Sequence, residues 1–465
     1  MPFAQRSTAA MLAATTVPGG FAAKMLAATT VPGGFAAKML AASTVPGGFA
    51  AGKTRTIKRT SNMKKTITSL LMLVLAMAMV TSCEKDDTDF SNYRLATVDD
   101  DGDDTDITDD TPKDTTVVVV NDTITIVYNG ATATVTGDTG GYVTTSGAHV
   151  TVSDEASERE MMIIVSGSST DGSLLVYRQK KFTLVLNGVE LTNPSGPAIN
   201  NQCGKALYVT LAEATVNTLT DGATYATSPT NAAGQAIDQK GTFFSEGQVY
   251  FTGTGTLNIV GNAKNGIASD DFIELNEGNI SISMAATAAN GMKVNDGITI
   301  NGGTLTIDVM ADGGRGIRSE ARTTINGGQT TITTAGDCKI ETVDGVRDTT
   351  SAAGIKCDSL FTMTDGTLTI TSTGDGGKGI NCDQDVLLSG GTLTVKTTGS
   401  NDVGKPKGIK SETAIIVSGG SLNVSVKKSW ACDNGTASET PADHLTVVGE
   451  PYTKAIAKRS VIIVF

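Results

Sequence analysis

Six copies of a two-part pattern, set at nearly constant intervals, constrain this chain more than any other feature. The first half reads apolar-x-x-Gly-x-apolar-x-apolar. Its copies are LNEGNISI (275–282), INGGTLTI (300–307), INGGQTTI (325–332), MTDGTLTI (363–370), LSGGTLTV (388–395) and VSGGSLNV (417–424). The second half reads Gly-Ile-x-small-acidic, in GIASD (266–270), GMKVN (291–295), GIRSE (316–320), GIKCD (354–358), GINCD (379–383) and GIKSE (408–412). The leading glycines step by 25, 25, 38, 25 and 29 residues, and the excess falls on ETVDGVRDTTSAA (341–353) and the SNDVGKPK region. Alternation of apolar and polar residues is the period of a strand, not of a helix. Recurring glycines provide turns at positive φ. A unit of this length with two or three short strands predicts an all-β fold: a parallel β-helix of about 25 residues per coil. A propeller blade needs about 40–50 residues, so that architecture is excluded. The crossover rule for parallel strands predicts a right-handed coil.

Stacked coils turn sequence positions into columns. After the leading glycine, Ile or Met points inward. Ala268, Lys293, Arg318, Lys356, Asn381 and Lys410 point outward; Ser269, Val294, Ser319, Cys357, Cys382 and Ser411 point inward; and Asp270, Asn295, Glu320, Asp358, Asp383 and Glu412 point outward. Glu246 extends the acidic row at one end, and Ala431-Cys432-Asp433, read as one more copy, places Asp433 in it at the other. Like charges about 4.8 Å apart repel and alternating cations relieve them, which makes this an ordinary solvated face. Toward the N-terminus no lysine lies in the Asp270 coil, and Asp270-Asp271 and Asn295-Asp296 stack, as do Asn265 and Asn290. Stacked hard oxygens suit Ca²⁺, so Asp270, Asp271, Asn295 and Asp296 form the candidate metal set, with a plain surface turn as the alternative. The cations Lys293, Arg315, Arg318 and Lys356 form the candidate ligand-binding set. Cys357 and Cys382 share one inward column, either as a disulfide or as buried free thiols.

Composition narrows the chemistry. Lys and Arg total 36 against 48 Asp and Glu, so phosphate contacts, and with them nucleic acid, are excluded. Two histidines, neither placed in a coil, no Gly-x-Ser-x-Gly and no Cys-x-x-Cys leave nucleophilic catalysis and zinc without support. One Trp cannot build a flat aromatic platform for cellulose. Outward threonines at 304, 306, 367, 369, 392 and 394 suit either a polymer or plain solvent.

The N-terminal region reads as processing and tether. Residues 11–53 hold one unit three times, MLAATTVPGGFAAK and two close copies, and 1–62 is a low-complexity extension with no assigned function. Met63-Lys64-Lys65, the apolar run Leu70–Val80 and Thr81-Ser82-Cys83 follow as a secretory signal over 63–82, with Met63 as the expected start. Val80-Thr81-Ser82-Cys83 resembles a lipobox, which makes Cys83 the lipidated residue. Residues 84–114 carry 13 acidic against 3 basic residues, so 83–115 is a disordered acidic tether. Beyond it, residues 115–465 carry 24 basic and 35 acidic residues, a net of -11. The residues following Cys83 are similar to surface-export signals of Bacteroidetes lipoproteins, and imply a lipid-anchored protein of the outer membrane facing the cell exterior. Residues 116–180 are read as an N-terminal cap and SVIIVF as a final strand.

FTLVLNGVELTNPSGPAINNQ (182–202), ATVNTLTDGATY (214–225) and FFSEGQVYFTGTGTLNIVGNAKNGIASDD (243–271) together resemble a bacterial carbohydrate-binding domain family of right-handed parallel β-helices, similar in shape to family 9 pectate lyases. The resemblance runs from about Val117 to the C-terminus. It implies binding of plant cell-wall polysaccharide, cellulose or acidic pectin-type glycan, with bound calcium at Asp270, Asp271, Asn295 and Asp296 and no catalysis. A non-catalytic, surface-anchored polysaccharide binder is therefore the leading reading. A calcium-dependent lyase using Lys293, Arg315 or Arg318 as base is the second. A structural adhesin without glycan specificity is the third.

Overall fold

The computed structural model describes residues 122–154, 159–343, 346–400, 402 and 404–465. The extension over 1–62, the signal over 63–82, Cys83 and the tether to residue 115 lie outside the described residues.

The chain is an all-β solenoid. A regular coil holds three short strands: Asn265–Ser269, Phe272–Leu275 and Asn279–Met284, followed one coil later by Met292–Val294, Gly297–Ile300 and Thr304–Val309. The first strand of each coil joins one twelve-stranded sheet, and the other two belong to a 23-stranded sheet wrapped round the remaining sides. Pairing is parallel and in register from coil to coil, so that Leu257, Ile280 and Leu305 stack, as do Ile332, Ile370 and Val395. These residues are buried and line one continuous core. The period-2 alternation of the sequence is this inside–outside alternation.

Two glycine columns let the coil close. Gly303, Gly328, Gly366, Gly391 and Gly420 turn the chain between the second and third strands at φ of 74, 71, 82, 71 and 74°. Residues with a Cβ avoid this region. The leading glycine of the second half-unit serves a different need, because the chain passes close against the third strand of its own coil. A Cβ on Gly354 would press into Ile370, and one on Gly379 into Val395.

The solenoid starts earlier than the repeats suggest. Asp122–Asn129 already pairs in parallel with Met161–Ser169, and Ala148–Asp154 with Gly172–Arg178, so most of the expected cap is coil. Among the described residues only Thr132–Thr136 and Val143–Ser146 fold back antiparallel at this end. These first coils lack the glycine pattern, which hid them. The long strand Phe182–Asn193 serves two sides, pairing through Phe182–Leu186 with Leu207–Leu211 and through Glu190–Asn193 with Val216–Asp221. Gly188 makes the bend, and the buried Asn217 Oδ1 accepts the Gly188 and Val189 N–H groups at 2.8 and 3.0 Å. At the other end SVIIVF forms a strand as expected. Ser460–Val464 lies antiparallel on Ser421–Val426 and buries Val461 and Ile463 over the last coil.

The 13 extra residues of the 38-residue step sit at 338–350 rather than 341–353. Arg315, Ala353 and Lys378 pair in register, and Ala352 and Ala353 are buried in the ladder. The insertion leaves as an antiparallel hairpin, Lys339–Val343 with Val346–Thr350.

Candidate functional site

A cavity of about 270 Å³ lies on the outer face of the twelve-stranded sheet, over its first coils. Its floor is the outward row Thr151, Leu175 and Asn200, paired in register on successive coils, with His149 and Ser173 beside it. Its roof comes from the 19-residue connection between Val216–Asp221 and Gly241–Ser245, through Ala226, Pro229, Ile237 and Gln239. A connection this long without regular structure is uncommon inside a compact domain, and it frequently carries function. Here it is pinned at several points. Ala226 N–H donates to Ser195 O at 2.8 Å, Ile237 N–H to Pro229 O at 2.9 Å, and Asn200 Nδ2 to Asp238 O at 3.0 Å.

Apart from the His149 imidazole, the polar side chains of the cavity are amides and hydroxyls. Asn193 Nδ2 donates to Pro197 O at 2.7 Å, and Gln202 Nε2 to Asn200 Oδ1 at 2.6 Å. Neither histidine falls in a copy of the repeat, yet His149 sits in the strand Ala148–Asp154. Its Nδ1 is 2.9 Å from Ser173 Oγ and its Nε2 is 3.2 Å from Asp171 Oδ1. This is a Ser, His and Asp in hydrogen-bond series, but the adjacent N–H that could face an oxyanion, that of Leu174, donates to Ala198 O in the ladder. The trio orients polar groups at the mouth. Several amide and hydroxyl groups converging on a small concavity suit hydroxyl-rich ligands.

The charged rows continue along the same face. Asp238, Glu246 and Asp270 bring carboxylate oxygens within 4.8 Å of one another. Desolvation, reinforced by the neighbouring Asp270 and Asp238 carboxylates, pushes the Glu246 carboxyl up to about 7. A lysine does reach the Asp270 coil: Lys240 Nζ, arriving from the roof segment, pairs with Asp238 at 2.5 Å and also with Asp270. No repeat position announces this pair, because Lys240 comes from the irregular segment and lies 30 residues from Asp270.

Of the four expected calcium ligands, the structure brings Asp270 and Asn295 into side-chain contact. Asn295 turns its Nδ2 toward Asp270 Oδ1 at 3.3 Å, and its own oxygen accepts from Lys293 at 2.7 Å. Asp271 Oδ1 accepts the Phe272 N–H at 2.9 Å, and Asp296 is exposed. The stacked Asn265 and Asn290 are likewise engaged: Asn290 Nδ2 donates to Asn265 Oδ1 at 2.9 Å, and Arg315 N–H donates to Asn290 Oδ1 at 3.1 Å. The three carboxylates of Asp238, Glu246 and Asp270 have the donor chemistry calcium uses, with the Lys240 ammonium as their present counter-charge.

Of the four expected ligand-binding cations, three are engaged in ion pairs. Lys293 pairs with Glu320 at 3.0 Å, Arg318 with Asp358 at 2.6 Å, and Lys356 with Asp358 at 2.8 Å and Asp383 at 2.6 Å. Arg315 differs. It is half-buried, its Nε has no hydrogen-bond partner, and burial together with Arg318 lowers its affinity for a proton. In register with it, beyond Ala353, stands Lys378, which no residue motif singled out. Its Nζ meets Ser351 Oγ, and desolvation with neighbouring cations lowers it to about 8. Among the described residues neither Arg315 nor Lys378 has a carboxylate within salt-bridge reach. The signal was present: Arg315, Lys378 and Lys407 each precede a leading glycine.

Asp433 leaves the acidic row to which sequence alignment assigned it. The last copy pairs two residues out of that register, with Cys432 opposite Ile409 and Asp433 opposite Lys410. A slip of two keeps every side chain on its own side, so alternation could not detect it.

Aromatic side chains do gather on the outer side of the second strands. Tyr208 and Tyr250 stack at 5.1 Å and 17°, with Phe272 edge-on to Tyr250 at 5.3 Å. The two tyrosines face each other along the stack and present their edges outward, which is not a flat platform.

A family model described as carbohydrate-binding domain-containing protein matches residues 146–314, 308–402 and 361–440. A carbohydrate-binding domain-containing protein of Acetivibrio thermocellus is 30% identical over 134 residues, which are 27% of this chain and 46% of that one. The match thus spans about half the length of that relative. A solved structure described as a polysaccharide lyase-like protein from C. thermocellum, in a gadolinium derivative, aligns with a TM-score of 0.45 at 22% identity. That alignment covers 57% of this chain and 96% of the other.

Proposed function

The chain belongs to the family of carbohydrate-binding domain-containing proteins, and from that membership we propose that it is a non-catalytic polysaccharide binder working through the outer face of the twelve-stranded sheet. The cavity under the 222–240 segment carries the reading. Its volume of about 270 Å³ lies near the lower end of the roughly 300–1,000 Å³ of small-molecule pockets. That suits one sugar unit of a longer chain. The amides of Asn193, Asn200 and Gln239 and the hydroxyls of Thr151 and Ser173 are the groups that would read sugar hydroxyls. A polymer leaving the cavity along the solenoid axis next meets the charged rows, where Arg315 and Lys378 are the cations open to a uronate carboxylate. Plant cell-wall glycans, cellulose or acidic pectin-type chains, are the proposed ligands.

Affinity electrophoresis against cellulose derivatives and polygalacturonate, with and without EDTA, tests this. Retardation is expected, and Asn200→Ala with Gln239→Ala should weaken it about tenfold for each hydrogen bond lost. No retardation on any glycan would sink the proposal. Cell binding that no soluble sugar competes with would favour a structural adhesin instead.

Calcium belongs to the same proposal, at Asp238, Glu246 and Asp270, where it would bridge acidic sugar to acidic protein. Binding would require Lys240 to withdraw. Lys240→Ala is therefore expected to tighten calcium binding in titration calorimetry, and equal affinities would remove the site. The lipid anchor at Cys83 and a place on the outer-membrane surface rest on the signal-like sequence. Mass measurement of the mature N-terminal peptide tests them.

Lys378 favours one second reading. An ammonium with a pKa of about 8 suits proton abstraction near neutrality better than the ion-paired Lys293, Arg318 or Lys356. A polysaccharide lyase built on it would release unsaturated, ultraviolet-absorbing product at a rate rising through pH 8. Silence across that range with added calcium would exclude it.

A further inference from the structure

The inward column at the end of the first strands holds Asn201, Ser245, Ser269, Val294, Ser319, Cys357, Cys382 and Ser411 in register. Where the column is serine, the hydroxyl donates to a carbonyl of a nearby turn. Ser269 Oγ reaches Gly247 O at 3.0 Å, Ser319 Oγ reaches Arg322 O at 2.9 Å, and Ser411 Oγ reaches Gln384 O at 2.7 Å. Cys382 Sγ keeps this contact, 2.8 Å from Ser359 O, although a thiol is a weaker donor than a hydroxyl. Thiols occupy the column in two successive coils only, and there they touch: Cys357 Sγ and Cys382 Sγ are 3.0 Å apart. That is closer than two sulfurs rest in ordinary van der Waals contact. Paired parallel strands bring the two Cα atoms to about 4.8 Å, inside the range of roughly 4.4–6.8 Å over which disulfides form.

We infer that Cys357 and Cys382 are a disulfide pair that staples two successive coils, closed by thiol–disulfide exchange as the chain folds. Cys382 attacks an oxidant disulfide, such as oxidised glutathione, and one glutathione leaves as thiolate. Cys357 then attacks the Cys382 sulfur and the second glutathione leaves. The protein loses two protons and two electrons, and the oxidant disulfide is reduced to two thiols. Before the coils stack the two thiols are equivalent, and the exchange balances in the same way when it begins at Cys357. Both sulfurs are 0% exposed in the folded chain, so exchange takes place before the coils close, and the finished bond is shielded from reductant. The staple fixes the coils that Lys356 Nζ spans between Asp358 and Asp383, at 2.8 and 2.6 Å.

The test folds the full chain in a glutathione redox buffer, blocks free thiols by alkylation, and digests with trypsin. Cleavage after Lys356, Lys378 and Lys396 places Cys357 in peptide 357–378 and Cys382 in peptide 379–396. The two are expected joined, two hydrogens lighter than their sum, and separated by reductant. Recovery of both peptides alkylated, or of either joined to Cys83, Cys203, Cys338 or Cys432, overturns the inference. Melting provides an independent readout. Oxidised protein should melt several degrees above the same protein folded in reductant, while a C357S/C382S variant shows no response to reductant. Equal melting of the oxidised and reduced wild-type protein would also overturn it.

Discussion

At Gly379 an added Cβ would press into Val395 Cγ1 and stand 2.5 Å from the Gly408 carbonyl oxygen of the next coil. Neither can retreat without breaking the ladder, so Gly379→Ala is expected to cost about 2–3 kcal/mol, read from the denaturation midpoint. The pair Arg178–Asp154 is the opposite case, a charge pair inside the first coils with both side chains buried. Asp154→Ala leaves the guanidinium without its carboxylate and should cost about 3–5 kcal/mol in the same measurement. Glu246 is a residue whose effect depends on pH. Its folded pKa of about 7 lies above the ordinary glutamate value of 4.5, so the folded state holds the proton more tightly. The stability this contributes is full below about pH 4.5 and is lost as pH rises through 7. Glu246→Gln should therefore raise stability at pH 8 by about 1 kcal/mol, allowing for solvent screening of a half-exposed group, with the gain fading toward pH 4.5. Melting curves across that range check the sign. The acidic row itself was legible from the spacing. The crowding of Glu246 was not, because Asp238 comes from an irregular segment outside the repeat.

Among the elements, the regular strands and the two insertions were readable because each coil repeats its neighbour. The boundary of the first insertion was not, since a repeat count fixes how many residues are extra but not which ones. Pairing of Ala353 with Arg315 and Lys378 decides it. Deleting 338–350 and joining Asp337 to Ser351 should restore a standard coil. Ser351→Gly should accompany it, because the corresponding Gly313 and Gly376 have φ of 66 and 71°. A stability change within about 1 kcal/mol is expected from a loop closed this way. A large loss would mean the hairpin packs as part of the fold. The 222–240 connection is the contrasting element. It has no repeat to announce it, yet it roofs the cavity, so replacing it with a short turn should abolish glycan retardation while the coils still melt cooperatively.

For the molecule as a whole, the open ends are the weak points of a stacked sheet. Ser460–Val464 covers one end, so truncation at residue 448 should expose Leu422 and Val424 and drive association, visible by light scattering. A closed Cys357–Cys382 bridge would add about 3.5 kcal/mol through its 25-residue separation. The sequence by itself determined the all-β solenoid, its period, the direction in which most side chains point and the acidic and cationic columns, because stacking converts periodicity directly into geometry. The tertiary structure alone decided which side chains meet across irregular chain: the roof over the cavity, Lys240 among three carboxylates, Asp433 out of its expected row, and two sulfurs in contact. Periodicity fixes columns. Distances between columns and loops depend on how the turns pack, and no repeat records that.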